Sequence, residues 1–68
     1  MNKFKEILKA LRKEKNITQK LLSKEISVSE DCIYYWEKGR SEPSIIDLIN
    51  LANFFDVSID YLVGRVEI

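Results

Sequence analysis

Four hydroxyl residues divide this chain into short helical segments, since each of them precedes a run whose apolar residues recur with helical spacing. They are Thr18, Ser29, Ser44 and Ser58. Serine and threonine favour the N-cap position because their side-chain oxygen accepts a hydrogen bond from a free amide of the first helical turn. No segment alternates apolar and polar residues with the period of two that a strand requires. The sequence therefore predicts an all-α fold of five short helices around one core.

The ends of the helices are set by residues that stop or redirect the chain. We expect Asn16 and Gly39 to adopt the left-handed conformation that ends a helix, and Pro43 to exclude a helix from the loop that follows. The predicted helices cover residues 3–15, 19–26, 30–38, 45–55 and 59–64. In the fourth helix, Ile45, Leu48, Ile49, Ala52 and Phe55 recur with helical spacing and predict a strongly apolar helix.

Length and composition exclude several classes of protein. The 68 residues are expected to form one domain over 1–68, with a tail at 65–68 and no room for a deep substrate cavity. The single cysteine, Cys32, and the lack of histidine exclude a disulfide framework, a multi-cysteine zinc site and the commonest general base. We therefore expect no enzymatic activity, no metal and no cofactor. No apolar run approaches the roughly 18 residues of a membrane span, and a cytoplasmic protein is expected.

The formal net charge of zero conceals an asymmetry along the chain. Residues 1–20 hold seven basic and two acidic side chains, whereas residues 41–68 hold one basic and five acidic side chains. The basic end fits a surface that faces nucleic acid or an acidic partner. The lysines of the first helix equally fit an ordinary solvated helix face, and composition alone does not separate the two interpretations.

The most informative pattern lies in residues 18–44, which predict two short helices that must pack on each other to be stable. The pattern is Thr18-Gln19-x-Leu21-Leu22-Ser23-x-x-Ile26-Ser27-Val28-Ser29-x-x-x-Ile33-x-x-Trp36-Glu37-x-Gly39-x-x-x-Pro43-Ser44, followed by Leu48, Leu51-Ala52, Val57-Ser58 and Leu62-x-Gly64. It resembles the lambda-repressor-like helix-turn-helix domain of Cro/cI-type phage repressors and of the xenobiotic-response-element family of bacterial regulators. The resemblance implies a small transcriptional regulator, expected to be a repressor, that binds double-stranded DNA sequence-specifically as a homodimer.

The resemblance also implies roles for individual residues. The motif would cover residues 18–38, with residues 30–38 as the recognition helix that enters the major groove. The residues expected to contact DNA are Thr18, Gln19, Lys20, Ser29, Glu30, Asp31, Tyr34, Tyr35, Lys38 and Arg40. Gln19 is also expected to contact the recognition helix, and the alternative is an ordinary exposed residue at the first position of the second helix. Arg12 and Glu37 match a structural ion pair that phage repressors use to connect their first and third helices.

Several residues depart from the family pattern. Ser27 stands where glycine is usual, and it is strained if its turn needs a positive φ. Glu30 and Asp31 stand where neutral or basic residues are usual, so we expect at least one of them to stabilise the helix N-terminus without touching DNA. Because exposed tyrosines such as Tyr34 and Tyr35 also anchor protein interfaces, the alternative is a protein-interaction module or an antitoxin-type protein on the same fold.

A homodimer would place two recognition helices in successive major grooves of one DNA site. The apolar residues expected to be exposed and to pair the two copies are Tyr61, Val63, Val66 and Ile68. The alternative is that these residues cover the core of their own copy.

Overall fold

In the computed structural model, every helix after the first begins directly after its predicted N-cap residue. The structure describes residues 3–65, which contain no strand and five helices: α1 (Phe4–Glu14), α2 (Gln19–Glu25), α3 (Glu30–Lys38), α4 (Ile45–Phe55) and α5 (Ile59–Leu62). Thr18, Ser29, Ser44 and Ser58 each accept a hydrogen bond from an amide of the first turn. The all-α prediction is confirmed, with small differences at the ends of α1, α2 and α5.

Left-handed residues redirect the chain between the helices. The φ angles of Asn16, Ser27 and Asp56 are 61°, 60° and 57°, and those of Gly39 and Gly64 are 76° and 80°. A residue with a Cβ loses about 1 kcal/mol or more in this conformation, although asparagine and aspartate tolerate it better than most. Ser27 is therefore strained, as the sequence predicts for a serine at this turn.

The core is built mainly from α1, α2 and α3 and is closed by α4 and α5. α3 packs against α2 and α1, and α5 contacts both α4 and α1. Within α3, Ile33 and Trp36 are buried, and the Trp36 ring meets the Phe4 ring of α1 edge to face with centroids 6.2 Å apart. The remaining buried apolar residues are Leu8, Leu11, Leu22, Ile26, Leu51, Ala52, Phe55 and Leu62. α3 is thus held on one side only, and its opposite side is free.

The buried face of α4 takes only part of the predicted apolar spacing. Ile45 and Ile49 belong to that spacing but are 74% and 43% exposed. The core instead takes Leu51, Ala52 and Phe55, with Leu48 half-buried beside them. Eight of the eleven residues of α4 are apolar, so helical spacing alone fits more than one face of the helix.

Candidate nucleic-acid interface

The free side of α3 presents the residues that the sequence assigns to base recognition. The exposed residues of this helix are Glu30, Asp31, Tyr34, Tyr35 and Lys38. The rings of Tyr34 and Tyr35 meet edge to face with centroids 5.5 Å apart, and the Lys38 Nζ lies 5.5 Å from the centre of the Tyr34 ring. These contacts hold two aromatic rings and one ammonium group together on the outer surface of the helix.

Both ends of α3 are fixed by the residues that flank it. The Ser29 Oγ accepts a hydrogen bond from the Cys32 amide at 3.3 Å, and it donates to the Cys32 Sγ at 3.3 Å. At the other end, the left-handed Gly39 lets the Arg40 amide donate to the Tyr35 carbonyl at 2.9 Å. A Cβ at Gly39 would lie 2.9 Å from the Cδ of Lys5, so the Lys5 side chain covers this turn. Arg40 follows this turn and is exposed to solvent.

Arg12 and Glu37 form the predicted ion pair. The Arg12 Nε donates to Glu37 Oε2 at 2.7 Å and Nη2 donates to Oε1 at 3.0 Å, while the two side chains are only 12% and 4% exposed. The side-chain hydrogen bond to Glu37 raises the pKa of Arg12, against the opposing effect of burial. The Arg12 Nη1 also donates to the Ile17 carbonyl at 3.0 Å. One guanidinium therefore connects α1 to the α1–α2 turn and to the last turn of α3.

Gln19 belongs to the same hydrogen-bonded group. Its Nε2 donates to Glu37 Oε1 at 3.1 Å, and the side chain is half-buried. The alternative of an ordinary exposed residue at the first position of α2 is therefore wrong. The family resemblance implies that Gln19 contacts the recognition helix, and this hydrogen bond is such a contact, with a partner 18 residues away that no local spacing identifies. Gln19 is thereby oriented by a residue in the last turn of α3.

A cleft of about 330 Å³ lies on the same side of the molecule, between α1 and the helix-turn-helix. It is lined by Lys9, Arg12, Lys13, Gln19, Tyr34, Glu37 and Lys38. The charges of Arg12 and Glu37 neutralise each other, and the three lysines therefore leave the cleft positively charged. The α1 lysines lie in different places. Lys9 and Lys13 adjoin the recognition helix, whereas the Lys15 Nζ lies 5.6 Å from the centre of the Phe54 ring, outside this cleft.

Two further residues expected at DNA have local structural contacts. The Thr18 Oγ1 accepts a hydrogen bond from the Leu21 amide at 3.0 Å, which makes Thr18 the cap of α2. The Lys20 side chain is exposed, and its carbonyl accepts a hydrogen bond from the buried Ser23 Oγ at 2.6 Å. The buried Ser23 hydroxyl is therefore not left unpaired.

The residues expected to pair two copies are less available than the sequence suggests. Tyr61 and Val63 are half-buried, and Tyr61 packs against the core of its own copy. Val63 lines a small apolar recess with Phe4 and Leu48. The expectation that these two side chains are exposed is wrong, and Val66 and Ile68 lie outside the described residues.

Residues 3–65 contain no cluster of three or more His, Cys, Asp or Glu side chains placed to hold a metal ion. In the same range, no helix combines the length and the apolar composition that crossing a membrane requires.

Comparison with known proteins places this arrangement in a family. Residues 8–62 match the model of the helix-turn-helix family. The HTH-type transcriptional regulator YqaE of Bacillus subtilis is 39% identical over 59 residues, which are 87% of this chain and 51% of that protein. The chain spans about half the length of the curated relatives that it matches.

Solved structures share the fold over most of the chain. A transcriptional regulator from Listeria innocua superposes with a TM-score of 0.91 and 34% identity, covering 100% of this chain and 64% of that one. The P22 c2 repressor, solved in complex with a synthetic operator, has a TM-score of 0.87 and 33% identity, covering 93% of this chain and 96% of that one. The chain therefore belongs to the Cro/cI-type helix-turn-helix family of transcriptional regulators.

Proposed function

We propose that this domain binds double-stranded DNA sequence-specifically as a homodimer and represses transcription by occupying its site. The observation that carries the proposal is the positively charged cleft, because it brings the α1 lysines, Gln19 and the outer face of α3 to one side of the molecule. The P22 c2 repressor, which shares the fold at 33% identity, was solved in complex with a synthetic operator. This similarity supports the same class of ligand for this chain.

The exposed side of α3 has the shape and chemistry that base recognition needs. The major groove, about 12 Å wide, admits an α-helix, so Tyr34, Tyr35 and the first turn of α3 meet the base edges. A tyrosine ring packs on a thymine methyl group and its hydroxyl donates to an acceptor. A carboxylate of Glu30 or Asp31 accepts only from a donor such as the cytosine N4 amino group. We therefore expect the DNA sequence to be selected by few hydrogen bonds donated from the protein and by apolar contact with thymine methyl groups.

Phosphate contacts would come from residues on both sides of α3. Lys9, Lys13 and Lys38 line the cleft, and the exposed Lys20 and Arg40 lie before and after the recognition helix. Such contacts supply affinity and orientation without sequence information.

The starts of α2 and α3 offer a second kind of phosphate contact, at Thr18 and Ser29, because free amides and the helix dipole favour an anion there. Gln19 is held at the same edge by Glu37.

Two other functional classes fit the residues less well. Catalysis lacks a site, because Cys32 has no histidine to activate it and the paired carboxylates Glu30 and Asp31 are exposed rather than enclosed. A protein-binding role is favoured by the acidic start of α3 and by the exposed tyrosine pair. It does not use the positively charged cleft, which carries the DNA-binding proposal.

The test is selection from a randomised duplex pool at two salt concentrations, followed by affinity measurements on the enriched sequence. The variant Lys38→Gln/Arg40→Gln removes two charges beside the recognition helix, and Lys24→Gln/Arg65→Gln removes two exposed charges outside the cleft. We expect the first variant to bind at least about tenfold more weakly and with a salt slope smaller by nearly two, while the control stays close to native. No enriched sequence, or equal loss in the control, would overturn the proposal and favour a protein partner.

A further inference from the structure

The two exposed tyrosines of α3 differ in what surrounds them, although each is 42% exposed. Tyr34 lines the positively charged cleft, whereas Tyr35 is not part of its wall. This difference follows from helical geometry, because Tyr34 shares one side of α3 with the residues three and four positions further on, Glu37 and Lys38. Glu37 binds Arg12 of α1, so this side of the recognition helix faces α1.

The Tyr34 ring holds the Lys38 ammonium group. The Lys38 Nζ lies 5.5 Å from the centre of this ring, within the roughly 6 Å at which a cation is attracted to an aromatic face. The Tyr35 ring meets the Tyr34 ring edge to face, with centroids 5.5 Å apart. Tyr34 therefore contacts a cation and a second ring at the same time.

An aromatic ring orients a cation without neutralising it. In the part of the chain that the structure describes, the Lys38 ammonium has no carboxylate within ion-pair distance. The nearby carboxylate of Glu37 is bound by Arg12 and Gln19. Tyr34 thus restricts the long Lys38 side chain, while its positive charge and its N–H donors stay available to an anion. Such preorganisation lowers the entropy that the side chain loses on binding.

We propose that the two tyrosines have different roles at DNA, an inference that rests on the proposed DNA-binding function. Tyr34 is a positioning residue, because its ring holds the Lys38 ammonium ready for a phosphate of the DNA backbone. Tyr35, outside the cleft, is the tyrosine of the pair that selects a base pair by packing on a thymine methyl group. The helix presents both rings to the groove, and the second ring is the one that distinguishes sequences.

The opposite assignment fits the contacts less well. A ring that packs on a thymine methyl group needs a free face, and Tyr34 already contacts an ammonium group and a second ring. A cation beside the same ring attracts phosphate, which contributes affinity without sequence information. The cleft that Tyr34 lines also holds Lys9 and Lys13, which extend the positive charge towards α1. Phosphate rather than a base edge therefore matches the surroundings of Tyr34.

Proton NMR of the free protein tests the contact with Lys38 without DNA. Protons above the face of an aromatic ring move upfield, so the methylene protons next to the Lys38 ammonium should be shifted upfield in the native chain. Tyr34→Phe keeps the ring and should keep this shift, whereas Tyr34→Leu should lose it. The Lys15 Nζ lies 5.6 Å from the centre of the Phe54 ring, and the shift of its methylene protons is the internal control that should not change. Because Tyr34 is exposed, both variants should retain the native helical circular dichroism.

Affinity for the enriched duplex and for a duplex of unrelated sequence separates positioning from base selection. Tyr34→Leu should weaken binding to both by the same factor of about two to five, the range of an exposed cation–π contact. Tyr34→Phe should bind both duplexes within about twofold of the native chain. In the Lys38→Gln background, Tyr34→Leu should have no further effect, because no ammonium is left to position. Tyr35→Leu should weaken binding to the enriched duplex alone, by at least about threefold.

Two results would overturn the inference: an unequal loss on the two duplexes in either Tyr34 variant, or a loss in Tyr34→Leu that is as large with Lys38→Gln as without it. Lys15→Gln removes a lysine that is held in the same way outside the cleft, and it should bind both duplexes within about twofold of the native chain. Failure of the proposed function gives a different result. A native chain with shifted Lys38 protons that binds neither duplex would overturn the DNA-binding proposal while the Tyr34–Lys38 contact stands.

Discussion

The carboxylate of Glu37 accepts two hydrogen bonds from the guanidinium of Arg12, at 2.7 and 3.0 Å, across 25 residues of sequence. Its Oε1 accepts a third from Gln19 at 3.1 Å. Three helices therefore meet at one carboxylate, which lies one residue before the end of α3. Because both members of the pair are nearly buried, removing either one leaves a charge without its partner in a poorly solvated place.

Glu37→Gln should destabilise the domain by about 2–4 kcal/mol, since it leaves the Arg12 guanidinium without its counter-charge. Gln19→Ala removes one hydrogen bond to a charged group and should cost about 1.5 kcal/mol. Urea unfolding of the two single variants and the double variant measures the coupling between them. A double variant whose loss equals the sum of the single losses would contradict the shared role of the Glu37 carboxylate.

The local features of the fold could be predicted because they depend on neighbouring residues. The caps Thr18, Ser29, Ser44 and Ser58 fixed the starts of four helices through bonds that span three residues. The Arg12–Glu37 pair was predicted from the family resemblance. The resemblance implied that Gln19 contacts the recognition helix but did not identify Glu37 as its partner, because only the packing of α2 against α3 brings the two side chains together.

Leu51→Ala should lower the stability of the domain much more than Ile49→Ala, although the two residues are only two positions apart. Leu51 is fully buried, so its truncation leaves a cavity and should cost about 2–5 kcal/mol. Ile49 is 43% exposed, and its truncation should cost less than about 1 kcal/mol in dilute solution. Thermal unfolding at micromolar concentration checks both. Equal losses would mean that Ile49, like Leu51, lies on the buried face of α4.

The orientation of α4 shows where sequence periodicity stops being informative. Leu48, Leu51, Ala52 and Phe55 have helical spacing, and so do Ile45, Leu48, Ile49 and Ala52. A helix with polar residues on one side has one possible buried face, whereas α4 has two apolar sides.

Ser27→Gly should stabilise the domain by up to about 1 kcal/mol. The φ of 60° at Ser27 disfavours a side chain and suits glycine, although glycine also gives the unfolded chain more freedom. Ser41→Gly, at an exposed loop position without a positive φ, is the matched control and should be neutral or slightly destabilising. Denaturant unfolding compares the two. Stabilisation by both substitutions would mean that backbone strain at Ser27 is not the cause.

Neutralising the acidic start of α3 should separate helix stability from DNA recognition. Glu30 and Asp31 lie in the first turn, where the helix dipole favours a negative charge. Glu30→Gln and Asp31→Asn should therefore each lower stability by about 0.3–1 kcal/mol at low salt. Both should raise affinity for duplexes of unrelated sequence, because each removes a charge that repels phosphate.

The sequence preference of the same two variants decides which carboxylate reads a base. A carboxylate that accepts a hydrogen bond from cytosine N4 should lose about 1–3 kcal/mol of discrimination at one base pair when it becomes an amide. A carboxylate that only stabilises the helix should leave the enriched sequence unchanged. We expect at least one variant to behave in the second way, as measured by repeating the duplex selection. Glu42→Gln, exposed in the loop after α3, controls for the change in net charge. Changed preference in both variants would show that both acidic residues contact bases.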